Sequence, residues 1–285
     1  MTLVATLISN PQRDDLSPEL AEMARVASDG LSIRWLFPGK ACDLELPTTT
    51  EKTKVFANLS EVLGNKPIDF AIQTEQSRRK KALIADMDST MIEQECIDEL
   101  AAEIGIKDRV ASITAKAMNG EIEFEAAVDE RVALLEGLSA NIADKIIAER
   151  ISLAPGGRTL VQTMRSNGCY TALVSGGFTS FTSRIGTMIG FHEDRANVLE
   201  ERYGKLTGKV EKPILGAEAK VIALREIASQ HQLAASDFIA VGDGANDLPM
   251  LLTAGTGVAL HAKPTVAEKA NIQINHGDLT SLLYR

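Results

Sequence analysis

Asp86 and Asp88 stand two residues apart, directly after the apolar run Ala82-Leu83-Ile84-Ala85. Such an uninterrupted apolar run reads as a strand buried on both faces of a parallel sheet. Residues two apart in an extended segment share a face, so both carboxylates project the same way from the strand's carboxyl end. Open α/β sheets bind their ligands at that end. Two adjacent carboxylates ionise together only at a cost, unless a cation neutralises them or one keeps a proton. The pair therefore suits a nucleophile beside a general acid, with a metal ion across them. A solvated Asp-rich turn would carry the same residues, so the reading depends on partners elsewhere in the chain.

Three further segments offer such partners. In Val174-Ser175-Gly176-Gly177-Phe178 a predicted strand ends in a serine and two glycines. Small residues there let backbone N–H groups approach an anion, and the Ser175 hydroxyl adds a donor. Lys220 falls on a helix predicted over residues 217–229, where one lysine is ordinarily a solvated side chain. In Val241-Gly242-Asp243-Gly244-Ala245-Asn246-Asp247 a buried strand feeds two aspartates and an asparagine into a glycine-loosened turn. Asp243 can supply a hard oxygen ligand for Mg²⁺. The Gly242-x-Gly244 spacing only superficially suggests a dinucleotide turn, because Asp247 occupies the third glycine position.

Elements that could position these groups follow from hydrophobic periodicity. Over residues 1–76 the pattern predicts strand 3–8, helix 17–28 capped by Ser17, strands 31–37 and 42–46, helix 50–63 and strand 69–73. That βαββαβ order fits a small ferredoxin-like module. Residues 92–151 read as helix throughout, over 92–104, 107–118, 123–135 and 141–151. Lying between two predicted core strands, they form a helical cap inserted into a core made of residues 77–91 and 152–285. The core alternates strand and helix, as a doubly wound parallel α/β sheet does. A hairpin is expected over 197–210, turning at Tyr203-Gly204-Lys205.

Bulk composition narrows the functional classes. A chain of 285 residues, 45% hydrophobic and 24% charged, has the profile of a globular protein with a sizeable core. Its net charge of 30 minus 39, or −9, is unfavourable for a nucleic-acid surface. No apolar run approaches the ~20 residues needed to span a bilayer, so no membrane association is expected. Cys42, Cys96 and Cys169 form no CxxC pair, which suits reduced thiols in a cytoplasm rather than a zinc site.

The ordered set Asp86-x-Asp88-x-Thr90, Ser175-Gly176, Lys220 and Gly242-Asp243-Gly244-x-x-Asp247 resembles the four motifs of the haloacid dehalogenase superfamily. The match covers roughly residues 80–285. The longer strings around these positions are similar to those of members that hydrolyse O-phospho-L-serine, the last step of serine biosynthesis. The resemblance implies a haloacid dehalogenase-like Rossmannoid core and a Mg²⁺-dependent phosphatase. Asp86 would be the nucleophile and Asp88 the general acid and base. Mg²⁺ would be held by Asp86, the Asp88 carbonyl and Asp243, with Asp247 behind them. Ser175, Gly176 and Lys220 would hold the phosphate, and Asn246 the phosphate or substrate.

Glu95 and Arg131 match the family positions that receive the ammonium and carboxylate of phosphoserine. For Arg131 there is separate support: Phe124, Val128, Arg131 and Leu135 fall on one helix face, directing the guanidinium inward. A substrate carboxylate or an internal partner, Glu99 or Glu103, would satisfy it. Glu95 rests on the resemblance alone. Other small phosphomonoesters are rival substrates, and a non-catalytic amino-acid sensor is a rival of another class. The N-terminal module, comparable to the ACT-like modules of longer members, could sense serine, join two copies as a homodimer, or only pack.

Overall fold

The computed structural model describes residues 2–118 and 121–284. The first unit runs β1 (Leu3–Ser9), α1 (Pro18–Ala27), β2 (Ser32–Phe37), β3 (Ala41–Leu46), α2 (Lys52–Leu63) and β4 (Ile68–Thr74). Ser17 caps α1, its hydroxyl accepting from the Leu20 N–H, and Pro18 occupies the first turn. The four strands pair antiparallel in the order β2-β3-β1-β4, a ferredoxin-like arrangement. Every residue of β1 is buried, so both faces of this sheet are covered. One face packs on the helices through Leu7, Leu20, Leu44 and Leu59. The other meets the remainder of the chain: the Asp69 carboxylate accepts the N–H groups of Asn275 at 2.8 Å and Gly277 at 2.7 Å.

The main sheet begins with β5 (Ala82–Ala85). Four helices follow: α3 (Cys96–Glu103), α4 (Lys107–Met118), α5 (Phe124–Ala133) and α6 (Ile142–Arg150). The chain then continues through α7 (Gly157–Ser166), β6 (Tyr170–Phe178), α8 (Thr179–Ile189), β7 (Glu193–Asn197), β8 (Leu199–Arg202), β9 (Lys205–Val210) and α9 (Ala217–Gln230). It closes with β10 (Phe238–Gly242), α10 (Leu248–Thr253), β11 (Thr256–Leu260), α11 (Pro264–Ala267), β12 (Ile272–Ile274) and a 3-10 segment, Leu279–Tyr284. Six strands form one parallel sheet, β12-β11-β10-β5-β6-β7. The strand sequence proceeds outward from β5 to β7, then resumes on the other side at β10. The switch point therefore lies at the carboxyl ends of β5 and β10, where a ligand crevice forms.

Burial on both faces follows from the layers. Leu83 and Ala85 join α7 and α8 in one apolar cluster, while Ala82 and Ile84 join α9 and α10 in another. That is why β5 and β10 are uninterrupted apolar runs rather than alternating ones.

The first of the four helices after β5 begins at Cys96, not at residue 92. Ile92 is instead bridged to Leu153 in antiparallel fashion, with Glu93 N–H donating to Ser152 and Ala154 N–H to Met91. These bonds make two short extended connections between sheet and helices, and the buried side chains of Met91 and Ile92 extend the apolar pattern past the true helix start. The hairpin β8–β9 turns at Tyr203 and Gly204, both with positive φ (54° and 73°), a turn that matches the strand twist. It stands apart from the main sheet and packs on α5, with Gly137 N–H donating to Leu206. No helix among the described residues is long and apolar enough to cross a membrane.

Candidate active site

The helix face that lines the sheet also delivers the lysine. Ala223, Leu224 and Ile227 of α9 pack into the cluster beneath Ile84, Val174 and Ala240. Lys220 precedes them by three, four and seven residues, so it occupies the same face one turn nearer the strands' carboxyl ends. It is only 1% exposed, and its ammonium donates to Asp247 Oδ1 and faces Asp86 Oδ1, each at 2.5 Å. Burial opposes its charge, but Asp86 and Asp247 outweigh that and hold its pKa above the ordinary lysine value.

Asp86 continues β5, its N–H bonded to the carbonyl of Val241 on β10. Asp247 lies on the turn leaving β10 and is wholly buried. Its Oδ2 accepts the N–H groups of Asp243 (3.1 Å) and Gly244 (2.9 Å), while Oδ1 takes the lysine. The turn closes tightly: a Cβ at Gly242 would stand 2.4 Å from Asp247 Cγ, so no side chain fits there. Asn246 folds back over Gly244 on the same turn.

Carboxylate oxygens of Asp86, Asp243 and Asp247 lie within 4.8 Å of one another. Asp247 is already engaged by three donors, two of them on Oδ2. Among the described residues, the Asp86 carboxylate meets only Lys220, and that of Asp243 accepts only from the Thr90 hydroxyl, at 3.1 Å. Asp86 and Asp243 therefore keep hard oxygen atoms open, the donor chemistry that Mg²⁺ takes. Electrostatics agree with that fit. Burial and the charge of Asp247 push Asp86 well above the usual carboxylate range, against the pull of Lys220. Burial, Asp247 and Glu95 push Asp243 up to about 6. One ammonium does not balance this many carboxylates, and a divalent cation would.

Asp88 projects into the same space, its Oδ1 accepting from the Cys96 N–H at the start of α3, at 3.3 Å. Burial, followed by the charge of Glu95, pushes it up to about 7. Facing it is the end of β6. A Cβ on Gly177 would come within 3.1 Å of both Asp88 Oδ2 and Ser175 Oγ, which is why glycine follows the serine by two. Ser175 is 2% exposed, and its Oγ accepts the Gly177 N–H, leaving its own proton free to be donated.

The cap residues converge less tightly. Arg131 is half-buried, with Nε donating to the Ala127 carbonyl and Nη1 to Thr114 Oγ1. Burial lowers its pKa, with Asp98 and Glu95 opposing. The internal mates considered for it are engaged elsewhere: Glu103 pairs with Lys145 and Arg150, and Glu99 with Arg150. Val128 and Leu135 are buried as the helix face requires, but Phe124 is 41% exposed, its ring reaching Gly216 on the loop before α9. Glu95 is exposed at the N-terminus of α3 and accepts from Ser89 Oγ at 2.6 Å.

One contributor, Asn197, escaped the sequence reading, and the motif residue Thr90 takes a role it was not given there. Asn197, 2% exposed at the end of β7, donates to the Gly176 carbonyl (2.9 Å) and accepts the Leu215 N–H (2.7 Å). It thereby fixes the serine-glycine turn to the loop that precedes Lys220. Thr90 orients Asp243 across the crevice. A single amide in a strand and a hydroxyl in a turn leave no periodic signal.

Residues 83–252 match the family model of haloacid dehalogenase-like hydrolases, and the chain belongs to that family. A phosphoserine phosphatase of Streptomyces coelicolor is 37% identical over 290 residues, spanning 99% of this chain and 69% of that one. Among solved structures, a HAD-family hydrolase from Salmonella enterica serovar Typhi superimposes with a TM-score of 0.87 at 33% identity, covering 99% of this chain and 97% of that one. A substrate-bound phosphoserine phosphatase gives a TM-score of 0.66 at 39% identity, covering 72% and 97%.

Proposed function

We propose that this chain is a Mg²⁺-dependent phosphatase that hydrolyses O-phospho-L-serine to L-serine and phosphate. The observation that carries the chemistry is the pairing of two unlike carboxylates on one turn. Burial raises both carboxyls, but Asp86 has a buried ammonium at 2.5 Å that favours its ionised form. Asp88, by contrast, has no ion-pair partner among the described residues, is pushed up to about 7 and can hold a proton near neutral pH. The substrate assignment is supported by relatives of that name over most of the chain and by the half-buried Arg131 with no ion-pair partner among the described residues.

An oxygen of ionised Asp86 attacks the phosphorus, and the bond to the serine oxygen breaks. Asp88 gives its proton to that departing oxygen, releasing serine and leaving an acyl phosphate on Asp86. The now ionised Asp88 takes a proton from water, whose oxygen attacks the phosphorus and frees both phosphate and Asp86. Lys220, the Ser175 hydroxyl and the Gly176 N–H hold the non-bridging phosphate oxygens through both halves. Asn246 holds the phosphate or the substrate beside them. Asp86, the Asp88 carbonyl and Asp243 would hold Mg²⁺, with Asp247 aligning Lys220 and the turn behind them. When bound, that ion supplies positive charge that favours ionised Asp86 and offsets charge developing on the phosphoryl group.

Glu95 receives the substrate ammonium and Arg131 its carboxylate, bidentately. The core reads only the phosphate, so these two residues set the preference. Initial rates over a panel of phosphoserine, phosphothreonine and sugar phosphates test this. Phosphoserine leads in kcat/KM, and Arg131→Ala removes its lead. A sugar phosphate leading the panel would overturn the substrate, and no turnover in Mg²⁺ would overturn the enzyme.

The reading extends to the residues outside the crevice. Residues 1–76 form the added module, 92–151 the cap, and 77–91 with 152–285 the catalytic core. The unpaired thiols Cys42, Cys96 and Cys169 suit a reducing cytoplasm. The edge strand β2, flanked by exposed Leu31 and Phe37, suits pairing of two copies, which sedimentation in solution would read.

A further inference from the structure

Ser89 has a φ of 53°, the left-handed region that glycine enters freely and other residues at a cost. The residue sits between the proposed general acid Asp88 and the buried Thr90, in a turn whose N–H at Ser89 reaches the Gln94 carbonyl at 3.3 Å. Backbone geometry alone would favour glycine here. What the serine adds is its hydroxyl, which donates to Glu95 Oε1 at 2.6 Å. Glu95 is otherwise an exposed side chain with several rotatable bonds, and it makes no side-chain cap on α3. The bond from Ser89 holds its carboxylate beside the turn that carries Asp88, and its charge raises Asp88 and Asp243 and opposes the lowering at Arg131.

We infer that Ser89 is a specificity-determining positioning residue: its hydroxyl fixes the Glu95 carboxylate where the substrate's ammonium is received. The inference rests on the proposed role of Glu95. A strained backbone retained beside a reacting centre is expected where the side chain has a task there. A single short hydrogen bond restricts Glu95 to one arrangement, so the ordering cost is met before substrate arrives. The effect falls on recognition of the ammonium and not on the phosphoryl transfer, because Ser89 touches neither the phosphate-holding groups nor Asp86.

The test uses Ser89→Gly, which keeps the backbone conformation and removes only the hydroxyl, beside Glu95→Gln and the double variant. Each is assayed on phosphoserine and on the phosphate ester of 3-hydroxypropanoate, which keeps the phosphate and carboxylate but lacks the ammonium. Ser89→Gly is expected to melt no lower than the parent while its KM for phosphoserine rises about five- to tenfold, the net scale of one intramolecular hydrogen bond. KM for the ester without the ammonium stays put, and in the Glu95→Gln background the serine change adds nothing. If Glu95→Gln loses the preference for the ammonium but Ser89→Gly keeps it, the positioning role is overturned while the role of Glu95 stands. If Glu95→Gln itself keeps that preference, the reading of Glu95 falls and this inference with it. Equal loss on both esters would also overturn it, since it would mark a general disturbance of the turn.

Discussion

Lys220 Nζ lies 2.5 Å from Asp86 Oδ1, and both side chains are almost sealed from solvent. A lysine on α9 thus meets an aspartate at the end of β5, with Asp247 as the third member of the cluster. Replacing the ammonium by an apolar isostere leaves two buried carboxylates facing each other. Lys220→Met should therefore lower stability by about 3–5 kcal/mol at pH 8, the usual cost of breaking a buried ion pair. Asp86 already lies above the ordinary carboxylate range, and the substitution raises it further. A carboxyl raised on folding stabilises most below its unfolded pKa and loses that contribution as pH climbs through the folded value. The deficit should shrink at pH 5, which urea denaturation at the two pH values reads. Turnover should fall at least ~100-fold, as when one preorganised donor to a transition state is removed.

The same sign governs the metal. Asp243 is held near 6 and Asp88 near 7, so the metal-free folded protein keeps protons there that the unfolded chain has already released. Its stability consequently declines as pH rises from about 4 to 8. A divalent cation competes with the proton on Asp243 for the same carboxylate oxygens. The rise in Tm on adding Mg²⁺ should be larger at pH 8 than at pH 5.5. Asp243→Asn should abolish most of that rise, and calorimetry with and without the ion checks both statements.

A second buried carboxylate joins the N-terminal unit to the rest of the chain. Asp43, 2% exposed on β3, accepts from Thr6 (2.7 Å), Arg34 (2.8 Å) and Arg78 (2.8 and 3.1 Å), and Arg78 also donates to the Tyr284 carbonyl. Burial pushes this carboxyl up, but Arg78, Arg34 and Thr6 outweigh it and hold the pKa below 3.8. A depressed carboxylate stabilises above its unfolded pKa and loses that as pH falls through the folded value. Arg78→Met should thus cost about 3 kcal/mol at pH 7. It should cost less at pH 3, where a carboxyl relieved of Arg78 takes up a proton more readily. Guanidinium melts at both pH values provide the comparison.

Much of the core and the crevice was legible because polar residues at the ends of apolar strands are a local signal. Asp86, Asp88, Ser175 and Asp243 all sit within three residues of a strand end or inside it, and Asp247 closes the turn that leaves β10. Lys220 read from its helix alone as an ordinarily solvated side chain and entered the site through the family resemblance, although it shares a helix face with Ala223, Leu224 and Ile227. Other features depend on contacts that no short window contains. The helix expected from residue 92 starts four residues later because buried Ile92, in an extended connection, continues the apolar pattern. The hairpin β8–β9 is clear from its turn, yet its packing on α5 is set by the tertiary fold. Glu99 and Glu103 seemed free to meet Arg131, but Lys145 and Arg150 on α6 take them. The role of Asn197 arises from hydrogen bonds to Gly176 and Leu215, and that of Ser89 from a single one to Glu95, contacts that only the folded chain creates.

The central claim is that Asp86 becomes covalently bonded to phosphorus. Acid quenching within the first turnover on ³²P-labelled phosphoserine, with borohydride reduction and peptide mass spectrometry, tests it most directly. The account predicts acid-stable label on the protein and conversion of residue 86 to homoserine, both lost in Asp86→Asn. Full turnover with no labelled protein, or label residing on another residue, would contradict it.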